Sequence, residues 1–536
     1  MLDGARHFAT IKTKSVTMKE KLVSYYKRVR FLLGIKPSSL EIPTPPPELE
    51  VPPMYPELGR KKRFLGLRLK GWHLSKRAKL CVVACVVIAV ILVSTFAFLS
   101  GAFQINAIKP SANDSANSPS PSPTPVPKAT NAPSDSPTQN PVANDIQSPQ
   151  PTPTQSKHPP GVITSSPVVN STVWEEVAAY AWAYFQPGVG VDPSTGLLYA
   201  SLEFHGFTDW DLGGYIQAVI DAQELGLVGT NDSDGWGSYA RFNYVLTFLE
   251  TRPLNNYSYP YQFYYSNGQP DLTDSCNETV DIVDIGRLLV ALNNLRDFSE
   301  TYNLNLTQRI NNLVYDSNNN GVNYTALVPD IQSNMQNSNS IYAYYIDSGF
   351  GSFFPAVANA SEDVMNNIVN SPTIQTFNVT LPDVPLTGDP LFCSVFELNN
   401  NDSQLMNLAY QFYNASAAEY NATGKYAAFS EGGAIGAYVY EWVVDPYGQV
   451  WTISSVGQTS YDMEPIIFTK IAFSFLALYN TTYARNMAIF LEAAMPEPTY
   501  GYCEGADNYG DNIANPGSNS NSLILDAALY AIQKSP

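Results

Sequence analysis

Acidic residues at the starts of amphipathic segments are the first candidates for chemistry in this chain. Thr208-Asp209-Trp210-Asp211-Leu212 opens one segment, Asp281-Ile282-Val283-Asp284 opens another, and Glu464 precedes a third. Carboxyl groups brought to one place can divide acid and base roles when their surroundings pull their pKa values apart. The same residues have a plain structural reading. Thr208 followed by Asp211 is a variant of the capping box, and any acid in a first turn is favoured by the helix dipole. Glu431 differs, because it lies in a Gly- and aromatic-rich stretch with no cap to supply. Other chemistries have little to work with. His205 is the one histidine after residue 170, which leaves no multi-histidine metal site. Cys276, Cys393 and Cys503 show no C-x-x-C spacing and admit one disulfide, in any of three pairings, with one spare thiol. No Asp-rich D-D-x-x-D motif occurs. No metal and no cofactor is expected.

The elements that must position these acids are mostly helical. Apolar residues recur with helical spacing over Val173–Phe185, Thr208–Leu227, Leu304–Tyr315, Ser361–Asn370, Ser403–Tyr420, Glu464–Tyr479, Ala484–Ala494 and Ser520–Gln533. The cleanest stripe is Ile282, Ile285, Leu288, Leu289, Leu292 and Leu295. Helices joined by Gly- and Asn-rich loops predict an all-α domain, with a few short strands allowed where Tyr, Val and Trp cluster over Tyr438–Trp451.

The rest of the chain reads as a delivery device for that domain. Leu80–Leu99 is twenty residues without a charge, about the length that spans a bilayer core as a helix. Residues 1–79 carry 18 Lys and Arg against 6 Asp and Glu, and the remainder carries 12 against 42. Basic flanks stay in the cytoplasm, so a single-pass anchor over residues 80–100 with the C-terminal part outside the cell is expected. The acidic exterior excludes a nucleic-acid footprint. Residues 101–170 are rich in Pro, Ser, Thr and Asn, too polar to build a core, and read as a disordered stalk. The composition then changes to Trp, Tyr, Phe, Leu and Ala, and residues 171–536 read as one domain. Thirteen Asn-x-Ser/Thr sequons, such as those at Asn231, Asn305, Asn359 and Asn480, all lie beyond the anchor, as a glycosylated exterior would require.

Several segments of this domain resemble, in order, a prokaryotic family of unknown function described as glucoamylase-like, domain of unknown function 3131. Residues 193–228 are similar to its opening P-x-TGL and WD segment, with Asp211 on the WD aspartate. Residues 278–292 resemble its ALDIGRLL segment, placing Asp284, Gly286 and Arg287. In residues 423–453, Glu431 falls on the glutamate of an SED motif and Trp451 on a tryptophan. Residues 469–479 and 518–530 resemble two further segments, and bring in Lys470, Asn519 and Asn521. The chain departs from the pattern at Gly432-Gly433, where the family has Asp-His. Glu504 stands near the family's last glutamate but out of register.

The resemblance implies an (α/α)6 toroid related to glycoside hydrolases acting on glucans, with a funnel at the N-terminal ends of its inner helices. Under that reading Glu431, Asp211 and Asp284 are the catalytic carboxyls. Trp210, Tyr215 and Trp451, with Tyr438 and Tyr440, are candidates to stack on sugars. His205, Lys470, Asn519 and Asn521 are candidates for sugar hydroxyls. Each has a competing role: core packing for the aromatics, an ion pair for Lys470, helix capping for the two asparagines. The expected function is a membrane-anchored glucan hydrolase with a polysaccharide as partner. The alternative is a non-catalytic glycan-binding or cell-envelope protein.

Overall fold

The computed structural model describes residues 161–166, 168–272, 280–316, 322–398, 402–434, 437–495, 500–512 and 514–534. The expected cytoplasmic tail, the anchor at 80–100 and nearly all of the stalk lie outside these residues. Among the described residues no helix is long and apolar enough to cross a membrane.

Twelve helices carry the architecture: α1 Ser171–Tyr184, α2 Asp209–Glu224, α3 Ser238–Thr251, α4 Ile282–Thr301, α5 Thr307–Tyr315, α6 Ile341–Phe353, α7 Ala360–Val369, α8 Gly388–Glu397, α9 Ser403–Thr423, α10 Thr469–Tyr479, α11 Thr482–Ala494 and α12 Ser518–Lys534. The even-numbered helices form a ring. Each packs against the next, and α12 returns to α2. The odd-numbered helices lie outside it, α3 on α2, α5 on α4, α7 on α6, α9 on α8, α11 on α10, and α1 on α12 and α2. This alternation of outer and inner helices is the toroidal arrangement the resemblance implies.

Burial explains why some inner helices carry no stripe in the sequence. A helix walled in by two inner neighbours and an outer one is apolar nearly all round. In α8, Leu391, Phe392, Cys393, Ser394 and Val395 are consecutive and all buried. In α6, Ala343, Tyr344, Tyr345, Ile346 and Asp347 are likewise consecutive and buried. Close approach between α4 and α6 uses two glycines. A Cβ on Gly286 would meet Ile346 Cγ2 at 2.6 Å, and a Cβ on Gly349 would press onto the Gly286 carbonyl oxygen. Backbone carbonyls cannot swing aside, so Gly349→Ala is expected to destabilise the domain by about 1–3 kcal/mol, read as a shift in a urea unfolding curve.

The domain is not purely α-helical. Four small antiparallel sheets sit in connections that lead from outer to inner helices or in the stretch before α2. β1 Gly206–Phe207 pairs with β2 Tyr264–Tyr265, and β3 Thr373–Thr376 with β4 Val379–Pro382. β5 Glu431–Ala434, β6 Ala437–Val444 and β7 Val450–Ser455 form a three-stranded meander, and β8 Ile467–Phe468 pairs with β9 Gly505–Ala506. The extended stretch 464–468 corrects the expectation that Glu464 starts a helix, since α10 begins at Thr469 and Glu464 pairs on the surface with Lys425 at 3.1 Å.

The packed domain also reaches further upstream than residue 171. Val162 and Ile163, placed by composition in the stalk, are buried. Glu492 of α11 holds this helical turn by accepting from the Ile163 and Thr164 amides, each at 2.8 Å, and from the Thr164 hydroxyl at 2.7 Å. Cys393 and Cys503 are both buried free thiols, and Cys276 lies outside the described residues.

Candidate functional site

The six inner helices point their N-terminal ends at a common region, and the chain has placed a polar side chain at each. Asp211 comes from α2, Asp284 from α4, Tyr342 from α6, Asp389 from α8, Lys470 from α10, and Ser518 and Asn519 from α12. Direct contacts join them. Ser518 donates to Asp211 at 3.2 Å, Asn519 donates to Asp389 at 2.8 Å, and Lys470 lies 3.1 Å from Asp389. Helix N-termini present unpaired N–H groups and favour negative charge, which is why a ring of carboxyls can persist here.

Glu431 projects into this ring from β5. Its Oε2 accepts the Tyr342 hydroxyl at 2.5 Å, and its backbone carbonyl accepts from Lys470 Nζ at 2.8 Å. Its carboxyl also lies within hydrogen-bonding reach of Asp389. Burial, and then the negative charge of Asp389, push the Glu431 carboxyl up to about 8, against the opposing pull of Lys470 and Tyr342. At neutral pH Glu431 therefore holds its proton.

The other sequence-derived acids behave differently from one another. Asp211 completes the capping box read in the sequence: Thr208 Oγ1 accepts from the Trp210 and Asp211 amides, and Asp211 Oδ2 accepts from the Thr208 amide at 3.0 Å. With Ser518 on Oδ1, both Asp211 oxygens have protein partners. Burial raises its pKa, opposed by the Thr208 backbone bond and Arg287. Asp281 caps α4, accepting from the Val283 and Asp284 amides, and leaves Asp284 as the half-buried acid beside it. Burial, and then the charges of Asp281, Asp209 and Asp211, hold Asp284 well above the usual carboxyl range.

Two members of the site escaped the sequence reading, and a third, Glu504, stands there only as out of register with the family's last glutamate. Asp389 and Tyr342 sit in the first turns of helices without stripes. Glu504 precedes β9 and accepts from Ser520 at 2.8 Å. Its carboxyl fills space that only glycines leave open, since a Cβ on Gly432 would stand 2.8 Å from Oε2 and one on Gly517 would collide with Oε1. Gly432, the position where the chain departs from the family's Asp, is thus where Glu504 reaches in from another loop. Burial pushes Glu504 up to about 7, opposed chiefly by Lys470.

An aromatic file leads to Glu431. Strand alternation puts Tyr438, Tyr440 and Trp442 of β6 on one face, while Val439, Glu441 and Val443 are buried on the other. Glu431 pairs in register with Tyr440, so it shares their face. Ring centroids are 5.3 Å apart from Tyr438 to Tyr440, 6.3 Å to Trp442, 6.2 Å on to Tyr342 and 6.3 Å on to Trp210. Tyr438 is 41% exposed, so the file opens outward.

The remaining expected ligands take other places. Tyr215 is fully buried, stacked on Phe185 at 5.7 Å, with its hydroxyl 3.2 Å from Arg241. It is a core residue with no surface to offer a sugar. Trp451 is half-buried in the left-handed region at φ 56°, donating to Thr376 at 2.8 Å and packing edge-on against Phe429. His205 is exposed just ahead of β1 and stacks on Tyr199 with centroids 3.9 Å apart. Lys470 is wholly buried in its ion pair. Asn521 binds the Tyr502 and Gly517 carbonyls, at 2.9 and 2.8 Å, and fixes the loop that carries Glu504. Asn519 links Asp389 to Arg287, whose Nη1 donates to its Oδ1 at 2.6 Å. Trp210 lies under the Arg287 guanidinium at 4.8 Å. Among the described residues no cluster of His, Cys, Asp and Glu has the makings of a metal site.

The fold has counterparts among solved structures. An endo-beta-1,2-glucanase from Talaromyces funiculosus in complex with sophorose is 12% identical, with 70% of this chain and 89% of that chain covered and a TM-score of 0.50. A mutant of that enzyme with beta-1,2-glucan gives 13%, 70%, 89% and 0.50. An endo-beta-1,2-glucanase from Chitinophaga pinensis, in a sophorotriose and glucose complex, gives 12%, 69%, 94% and 0.47. At such identities the likeness concerns the fold. No curated protein matches the chain. Residues 176–534 match the model described as protein of unknown function (DUF3131), and the chain belongs to that family.

Proposed function

We propose that this domain is a glycoside hydrolase that cuts a glucan by acid/base chemistry between two carboxyl groups. The observation that carries the reading is Glu431: a buried carboxyl that accepts the Tyr342 hydroxyl beside an aromatic file, with burial and Asp389 raising its affinity for a proton. Glycosidic cleavage needs such an acid to protonate the leaving oxygen, and a second carboxylate to activate water or attack the sugar carbon. Aromatic faces suit the apolar faces of pyranose rings, and the Tyr438–Tyr440–Trp442 face supplies a row of them. For the second carboxylate, Asp284 is better placed than Asp211. It is half-buried, whereas both Asp211 oxygens already serve the helix junction. The glucanases that share the fold support glucan as the substrate class.

A second reading, glycan binding without cleavage, draws on Gly432-Gly433 in place of the family's Asp-His and on the capping role of Asp211. The full-length chain, incubated with linear and cyclic glucans of several linkages, separates the two. New reducing ends, lost in Glu431→Gln, are expected. Saturable binding without cleavage would give the second reading the site.

The proposal extends to the chain's layout: residues 1–79 in the cytoplasm, 80–100 across the membrane, 101–160 a stalk, and the glycan-binding domain outside the cell. The charge asymmetry about residue 80 supports it. So do the exposed sequon asparagines Asn231, Asn305, Asn359 and Asn480, each in a connection from an inner to an outer helix. Protease added to intact cells is expected to remove the domain and spare the N-terminal tail. Loss of the tail instead would reverse the topology.

A further inference from the structure

We propose that Asp389 is the positioning residue of the acid, the permanently ionised member of a carboxyl–carboxylate pair that accepts the Glu431 proton and keeps Glu431 loaded. This rests on the reading of Glu431 as the proton donor.

The geometry assigns the two roles. The carboxyls of Glu431 and Asp389 lie within hydrogen-bonding reach, and two carboxylates that close cannot both stay charged. One proton is shared, and the surroundings decide where it resides. Asp389 collects nearly all the cationic and donor partners. Lys470 Nζ is 3.1 Å from Oδ1, and the Asn519 amide donates to Oδ2 at 2.8 Å. That amide is held from its far side by Arg287, whose guanidinium donates to the Asn519 oxygen at 2.6 Å. Asp389 is also the second residue of α8, where the helix dipole favours a negative charge. Glu431 receives one donor, the Tyr342 phenol, on its own carboxyl. Lys470 spends its other contact on the Glu431 backbone carbonyl, which fixes the strand against α10 without neutralising the side chain. The further titratable groups facing the pair are Tyr438 and Tyr440 from β6, Glu504 from the loop before β9, and Cys393 one turn along α8.

The electrostatics agree with that division. Burial works to raise Asp389, but Lys470 and then Arg287 overcome it and hold the carboxyl below its ordinary range. Asp389 is itself wholly buried and has protein partners on both oxygens, so it neither touches a sugar nor receives a proton from water. Its place beside the acid also excludes it as the second carboxylate, which must stand roughly 5 Å or more away across the scissile bond.

The test is the pH dependence of kcat/KM for glucan cleavage by the full-length chain. In the wild type the basic limb reports Glu431 losing its proton, near pH 8. Asp389→Asn removes the negative neighbour and leaves Lys470 to act on Glu431 alone. The limb is expected to move about one to two pH units towards acid. Activity should fall about fivefold to fiftyfold at pH 8 and recover towards the wild-type value at pH 5. Adding Lys470→Met should move the limb back part of the way. A loss uniform across pH, with the limb unmoved, would make Asp389 a structural residue only. Difference infrared spectroscopy reads the same proton without turnover. The protonated carboxyl band lost in Glu431→Gln should be reduced by about half or more in Asp389→Asn at pH 7. If that band is undiminished, the pairing is wrong, whether or not the protein cleaves a glucan. If it shrinks while the wild type cleaves nothing, the pair stands and the hydrolase reading falls.

Discussion

Glu431→Gln is expected to lower the glucan cleavage rate about 10²–10⁴-fold while the domain stays folded, the usual cost of deleting a general acid. The amide keeps the shape of the acid and can still accept from Tyr342, so the 2.5 Å contact and the β5–β6 register have no reason to change. Like the protonated acid it carries no charge, and its N–H group can donate to Asp389 in place of the lost proton. Stability should therefore be nearly unchanged, and the unfolding curve is the control. What disappears is the proton. A wild-type profile that declines above pH 8 and a variant that is slow at every pH would together identify Glu431 as the donor. A variant that retains cleavage would move the acid elsewhere, with Glu504, pushed up to about 7, as the next group to replace.

How far the site was legible from the residues depended on which force shaped each segment. The Thr208–Asp211 capping box is local, and it appears as read, because a cap needs only its own first turn. The stripe from Ile282 to Leu295 became α4 although residues 285–292 are all buried, because Gly286, Arg287, Asn293 and Asn294 separate its large apolar side chains and leave the period visible. Helices α6 and α8 left no stripe because their neighbours bury them on nearly every side, and with them Tyr342 and Asp389 went unnoticed. A signal for α8 was present in Thr387-Gly388-Asp389-Pro390, an acid and a proline in a first turn. Glu504 is harder. The resemblance puts it near the family's last glutamate but out of register, and its role depends on glycines 72 positions earlier and 13 later, Gly432 and Gly517, whose missing side chains make room for its carboxyl. Tyr215 failed in the opposite direction, since an aromatic on a helix near an acidic start looks the same whether it faces a ligand or, as here, Phe185.

Arg287→Met is expected to be among the most damaging single substitutions in the domain, at about 3–5 kcal/mol, because it strands a charge where water cannot reach. Arg287 lies wholly buried inside the ring. From α4 it donates to Glu397 of α8 and Asn519 of α12, each at 2.6 Å, while its guanidinium covers Trp210 of α2. Glu397 takes its other hydrogen bond from Tyr345 of α6. One cation thus ties five of the six inner helices through two side chains. Methionine keeps much of the volume but leaves Glu397 with a phenol as its one remaining donor and frees Asn519 from the orientation that serves Asp389. Two measurements separate these consequences. Urea unfolding should show the large loss for Arg287→Met and a markedly smaller loss for Arg287→Met with Glu397→Leu, since replacing a buried pair by apolar side chains removes the stranded charge. The double variant should show a basic limb in kcat/KM shifted towards alkali, because losing Arg287 removes a cation that favours the ionised pair. A double variant no more stable than the single one would mean that Arg287 acts by packing on Trp210, and that the Glu397 charge is neutralised some other way.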